Sequence, residues 1–193
     1  AKNELKTATE ATNVTDGKTT ESADKYNEAK TAAEAVVKEA EGVIADVNST
    51  TEDVANALKK VNAAKAVLDD AKSKLVEAAT ADEKAKLKAD SEALKKADTR
   101  GKTPNSIDAY NTKFEALKTQ LEAAKTEAEK VLAKENNATK EEAKAAQAKV
   151  DAVKAELDKA VALLKDKGNT EGLEAAKNEL KTATEATNVT DGK

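Results

Sequence analysis

Apolar residues recur along this chain in alternating steps of three and four. Tyr26, Ala29, Ala33, Val36, Ala40, Val43 and Val47 follow this rhythm, as do Ile107, Tyr110, Phe114, Leu117, Leu121, Ala124, Ala128 and Val131. Two further stretches repeat it: Val54, Ala57, Val61, Ala64, Leu68, Ala71 and Leu75, then Ala143, Ala146, Val150, Val153, Leu157, Ala160 and Leu164. Such spacing places a narrow apolar seam on one face of a helix and leaves the other faces to charge. No stretch of strand length alternates with period two, so the pattern predicts an all-α chain without sheet.

Helix starts are marked as well. Thr50 with Asp53, Thr80 with Glu83, and Thr139 with Glu142 have the spacing of a capping box. Thr103-Pro104 reads as an N-cap followed by proline at the first helical position. Loops are expected over 13–18 and 99–102, which gather Gly, Asp, Thr and Asn. The predicted helices span 1–12, 20–47, 51–79, 80–98, 104–134, 140–166 and 171–187.

The chain repeats itself. Residues 1–18 and 176–193 are identical letter for letter, a period of 175. Near-identical tandem copies in a longer parent explain this more simply than a deliberate duplication, and on that reading both ends are arbitrary cuts. The period divides again. Gly17-Lys18-Thr19, Ser22, Asp24, Tyr26 and Asn27 reappear 84 residues on as Gly101-Lys102-Thr103, Ser106, Asp108, Tyr110 and Asn111. Later positions align at an offset of 89: Thr50, Val61 and Leu68 fall on Thr139, Val150 and Leu157. The second unit therefore carries about five extra residues, roughly one helical turn plus one. Gly17, Gly101 and Gly192 mark one place in successive units.

One narrow stripe per helix cannot bury itself, whereas three helices around a shared seam can. Short loops favour antiparallel neighbours. The expected architecture is all-α: tandem spectrin-like three-helix bundles forming an elongated rod. The first unit is 1–79, the second 80–169, and 170–193 opens the next. Neither Gly nor Pro lies between Leu75 and Thr80, so a continuous helix across the first junction is one expectation; a fresh start capped by Thr80 is the other. Gly168 and Gly172 predict a break at the second junction, with Gly168 near a helix C-terminus.

Composition sharpens this picture. Of 193 residues 42 are Ala, while Leu, Ile, Val and Phe together number 31. That aliphatic content approaches the range of disordered chains, but the net charge is only −4 and the dominant residues are strong helix formers. An Ala-rich seam lets helices approach closely and buries little per residue, so each unit should gain stability from its neighbours. The chain has no Cys and no His, which removes disulfides, thiol nucleophiles, imidazole bases and His-ligated zinc. No cofactor and no metal are expected, and the chain does not read as an enzyme. Its mildly acidic balance disfavours nucleic acid as a partner. No run of about 18 apolar residues exists to span a membrane, and no signal-peptide pattern is present.

Several residues merit weighing as sites. Tyr26, Tyr110 and Phe114 lie on the seams and read as volume fillers rather than anchors for a partner. The acidic pairs Glu52-Asp53, Asp69-Asp70 and Glu141-Glu142 point about 100° apart on a helix, which suits capping or solvation better than acid–base chemistry. Lys59-Lys60 and Lys95-Lys96 lack interleaved aromatics. Gly17-Lys18-Thr19 mimics the end of a phosphate loop, but residue 12 is Thr where the first glycine should stand, so it reads as a turn. Asn13, Asn48 and Asn137 begin N-glycosylation triplets that also suit capping loops. No catalytic, cofactor or metal residue is assigned.

Lys18-Thr19-Thr20-Glu21-Ser22, the spaced Tyr26, Ala29, Ala33 and Val36, then Thr51-Glu52-Asp53-Val54, Ala57, Val61, Ala64 and Leu68 together resemble the FIVAR repeat family. Thr19 stands where that family has Tyr, Ala23 where it has Trp, and Pro104-Asn105 replaces its Thr-x-Glu, which leaves a sister helical repeat family open. The resemblance implies three-helix modules, in tandem, on Gram-positive cell-wall-anchored surface proteins and adhesins. It implies a structural spacer or stalk outside the cell, monomeric, whose partners are neighbouring identical repeats in the same chain. The alternative is weak multivalent binding to a host matrix protein such as fibronectin.

Overall fold

The structure, a computed structural model, describes residues 1–185. It is all-α: helix makes up 75% of it, and there is no β-strand among the described residues. Seven helices follow in order: α1 (Lys2–Thr9), α2 (Thr20–Ala45), α3 (Thr51–Ser73), α4 (Ala81–Glu92), α5 (Pro104–Leu132), α6 (Lys140–Val161) and α7 (Glu171–Glu185). A single 3-10 turn, Glu135–Asn137, separates α5 from α6. No described helix is long and apolar enough to cross a membrane. The loop that ends the repeated eighteen residues, with Gly192, lies outside the described residues.

The helices form two compact units. The first contains Ala1–Lys95 and Thr119–Lys154; the second contains Lys96–Lys118 and the described residues from Ala155 onward. Residues of the second sequence repeat thus fall in both.

In the first unit α1 packs on both α2 and α3, which run along each other. Leu5, Tyr26, Ala33, Val37, Ala40, Val61 and Leu68 form their buried core. Ala29, Val36, Ala64, Ala71 and Leu75 pack against it half-buried. The seam of steps three and four therefore faces inward over most of its length. It fails at the ends of α2 and α3, where Val47 and Val54 are exposed. Leu87, Leu94, Leu121, Ala124, Ala128, Val131, Ala143, Ala146 and Val150 are also buried in this unit. In the second unit Tyr110, Leu157, Ala160 and the hydroxyl-bearing Ser106 are buried.

The starts follow local chemistry. Thr50 and Thr80 each close a two-way capping box, with Asp53 and Glu83. Thr139 Oγ1 accepts from the Glu142 amide while Glu142 Oε2 accepts from the Thr139 amide, both at 3.1 Å. Pro104 is the first residue of α5, and the Thr103 carbonyl accepts from Ile107 at 3.0 Å.

Several ends fall short of expectation. No continuous helix crosses the first junction: α3 stops at Ser73, and α4 begins afresh at Ala81 after the Thr80 cap. The intervening residues are extended because their backbone has better partners than a helix would supply. The Thr19 amide donates to Val76 O at 2.8 Å and the Ala78 amide to Gly17 O at 2.9 Å. On its other side the same segment gives Ala79 N to Ala138 O at 2.8 Å, and Glu77 O accepts from Lys140 N at 3.0 Å. Helix α4 ends at Glu92 rather than near 98, and the Ala97 amide donates instead to Tyr110 Oη at 2.7 Å. Helix α6 ends at Val161, so Gly168 is not at its C-terminus; it lies in the non-helical stretch before α7. Lys165 and Lys167 have been drawn to Thr103 and Gly101 in the same way.

Candidate functional site

The most organised polar geometry is a backbone clamp that occurs twice, once in each unit. Its first half is the turn before α2. The Lys18 amide donates to Thr15 O at 3.1 Å, and Gly17 adopts φ +66°. An added Cβ at Gly17 would meet nothing within 4 Å, so glycine is required here by backbone conformation, not by crowding. Ser22 sits one turn into α2. Its Oγ donates to Thr19 O at 3.1 Å and accepts from Thr19 Oγ1 at 2.9 Å and from the Val76 amide at 3.1 Å. One hydroxyl thus ties the helix start to the segment that follows α3.

The second clamp reproduces the first, bond for bond, at the offsets seen in the sequence. Gly101 has φ +74°, and the Lys102 amide donates to Thr99 O at 3.2 Å. Thr103 N donates to Lys165 O at 2.8 Å and Lys167 N to Gly101 O at 2.9 Å. Ser106 Oγ donates to Thr103 O at 2.8 Å and accepts from Thr103 Oγ1 at 2.9 Å and Lys165 N at 3.1 Å. An ion pair accompanies each copy: Lys18 with Glu77 at 3.9 Å, and Lys102 with Asp166 at 2.7 Å. The Gly-Lys-Thr triplet is therefore a turn whose Lys faces a carboxylate.

Beside the first clamp lies an open polar cleft of about 500 Å³, lined in part by Ser22, Lys25, Asp70, Lys74, Asn137 and Glu142. Its charges are matched. Lys25 pairs with Glu21 at 2.7 Å, Lys74 with Asp70 at 2.7 Å, and Lys134 with Glu142. The hydrogen bond and charge of Lys25 hold Glu21 below its ordinary range; Lys134, then the Thr139 amide, do the same for Glu142. These carboxylates are ionised near neutral pH and have no proton to donate. Among the described residues no group of three or more acidic side chains is placed to hold a metal ion.

A second polar node forms where Asp90 of α4 meets α6. Asp90 accepts from Lys86 Nζ at 2.7 Å, Gln147 Nε2 at 2.8 Å and Lys154 Nζ at 3.0 Å. The Lys86 hydrogen bond, then that of Lys154, hold its carboxyl far below the usual carboxylate range, against the opposing effect of burial.

The aromatic residues occupy different settings. Tyr26 and Tyr110 are buried. Phe114 is half-buried, its ring centroid 5.8 Å from that of Tyr110, with Lys96 Nζ 5.8 Å above its face. Of the acidic pairs, Asp53 and Glu142 cap helices. Asp69 and Asp70 pair with Lys65 and Lys74. Sequence reasoning missed Asp90; its i, i+4 spacing from Lys86 was visible, but its partners 57 and 64 residues away were not.

No family model matches the chain, no curated protein matches it, and no solved structure matches it.

Proposed function

We propose that the chain comprises two units of a tandem three-helix repeat of the FIVAR type, and that its role is mechanical. Copies in series form a stalk on the surface of a Gram-positive bacterium and hold a distal binding domain away from the wall. The observation that carries this reading is the duplicated clamp. Two turns 84 residues apart close on two segments 89 residues apart with the same donors, acceptors and glycine conformation. The conserved hardware of the repeat is thus a joint between backbone segments, and the near-identity at period 175 supplies it in number. A spacer needs length and repetition, and its partners are its own neighbouring repeats.

Solution scattering on this chain tests the proposal. A compact chain of this length has a radius of gyration of roughly 16 Å; the stalk reading requires a markedly larger value. The same protein passed over immobilised fibronectin, other matrix proteins and serum albumin should give no saturable signal. Saturable binding would transfer the role from spacer to adhesive repeat.

A further inference from the structure

The first unit has an apolar cleft with no occupant, and the chain itself carries a side chain of the right kind at the right spacing. The cleft, about 130 Å³, lies between the end of α2 and the start of α3 and is lined by Ala40, Val43, Ile44, Val54, Ala57 and Leu58. Ile44 is 69% exposed and Val54 52%, in a chain with few large apolar residues to leave in water. Lys2, at the beginning of α1, borders it. The face of α1 that buries Leu5 points along α2 and α3 toward this cleft, which lies beyond Lys2 on the side of the α2–α3 turn.

Helix α7 shows what a longer α1 would look like. Its residues 176–185 are those of 1–10, so Leu180 is the counterpart of Leu5. Leu5 is fully buried, whereas Leu180 is 66% exposed. Helix α7 begins five residues before the repeated sequence, with Glu171-Gly172-Leu173-Glu174-Ala175. Leu173 precedes Leu180 by seven residues, so the two share a helix face within about 20° and lie roughly 10 Å apart along the axis. Lys2 corresponds to position 177, between them.

We infer that the cleft between α2 and α3 is the seat of Leu173 from a preceding copy of this chain, whose α7 continues through Ala175 into Ala1 as one helix. This rests on the tandem-repeat reading above. Helix α7 is then not an appendage of its own copy but the complete first helix of the next. It carries Leu180 to the place of Leu5 and Leu173 into the cleft of Ile44, Val54 and Leu58. Each joint between copies thereby contains one apolar plug, supplied by the copy upstream.

The test adds the segment Thr170–Ala175 directly ahead of Ala1 in the full chain, alongside a matched protein whose added segment carries Leu173→Asp. The chain has only two isoleucines, Ile44 in the cleft and Ile107 far along the sequence in α5, so their methyl resonances give a clean pair. The added segment should move the Ile44 methyl signal, leave Ile107 in place, and raise Tm by about 3–5 °C. The Leu173→Asp segment should do neither. An unmoved Ile44, or equal effects from both segments, overturns the plug. So does a concentration-dependent Ile44 shift in the unextended chain, which would mean that a second free molecule covers the cleft. None of these results touches the stalk reading, which stands or falls on scattering.

Discussion

The amide of Val76 donates to Oγ of Ser22 across 54 residues of sequence, at 3.1 Å. This bond fixes where α3 cannot continue. The same hydroxyl also satisfies Thr19 O and Thr19 Oγ1, so three groups depend on one atom. In the second copy Ser106 plays this part toward Lys165 and is itself buried. Ser106→Ala should therefore cost about 1–3 kcal/mol, because the Lys165 amide is left without its acceptor. Ser22→Ala should act in the same direction. Urea denaturation of both variants and their combination measures this, and the double variant should show additive losses.

Tyr110 and Tyr26 are equivalent by sequence but not by bonding. Tyr110 Oη accepts from the Ala97 amide at 2.7 Å, and Tyr26 makes no such bond among the described residues. Tyr110→Phe should destabilise by about 1–2 kcal/mol and Tyr26→Phe by less than about 0.5 kcal/mol. Burial of Tyr26 holds its phenol above the usual range, which agrees with a hydroxyl that gains little from its surroundings. Thermal unfolding of the two variants separates the cases.

Asp90 should shape the acid limb of the stability curve. Its carboxyl is held low in the folded state by Lys86 and Lys154. A depressed folded value means stabilisation that is complete above the ordinary carboxylate range, near pH 4, and is lost as pH falls below it. Asp90→Ala should cost about 1–2 kcal/mol at pH 7, tempered by the exposure of its lysine partners. The gap between variant and parent should shrink steadily below pH 4. Denaturant titrations at pH 7, 4 and 2.5 check the sign.

The caps behave alike. Glu83 is held low by the Thr80 amide, and Asp53 by the hydroxyl and amide of Thr50. Thr80→Ala should cost about 1 kcal/mol at neutral pH and fray α4 from its first turn, visible as faster amide exchange over 81–85.

Identical residues in the two copies should respond differently. Leu5→Ala removes a fully buried side chain and should cost about 2–5 kcal/mol, while Leu180→Ala, in an exposed setting, should change stability by less than about 0.5 kcal/mol. Paired melting curves decide it.

Much of this structure was legible before any coordinates. The all-α class, the starts of α2, α3, α5 and α6 and the inward seam follow from local chemistry: capping residues, a proline at the first helical position, and apolar steps of three and four. The clamp residues were visible as the aligned Gly-Lys-Thr and Ser, though not as a joint. The helix ends were not legible. The seam runs on through Leu75 and Leu164, and nothing nearby forbids helix; what ends it is a partner 57 to 66 residues away that competes for the same amides. Long-range backbone pairing leaves no mark on local periodicity. The Asp90 node escaped for the same reason, since Gln147 and Lys154 become its neighbours only once α6 is in place.

The central claim is that repeats of this kind add length. The most direct measurement is the maximum dimension, by solution scattering, of proteins holding one, two and three copies of the 175-residue period. The stalk account predicts a constant increment, roughly 60–90 Å per copy if each of its two units contributes about one bundle length of 30–45 Å. A dimension that grows only as the cube root of mass, with copies collapsing onto one another, would contradict it.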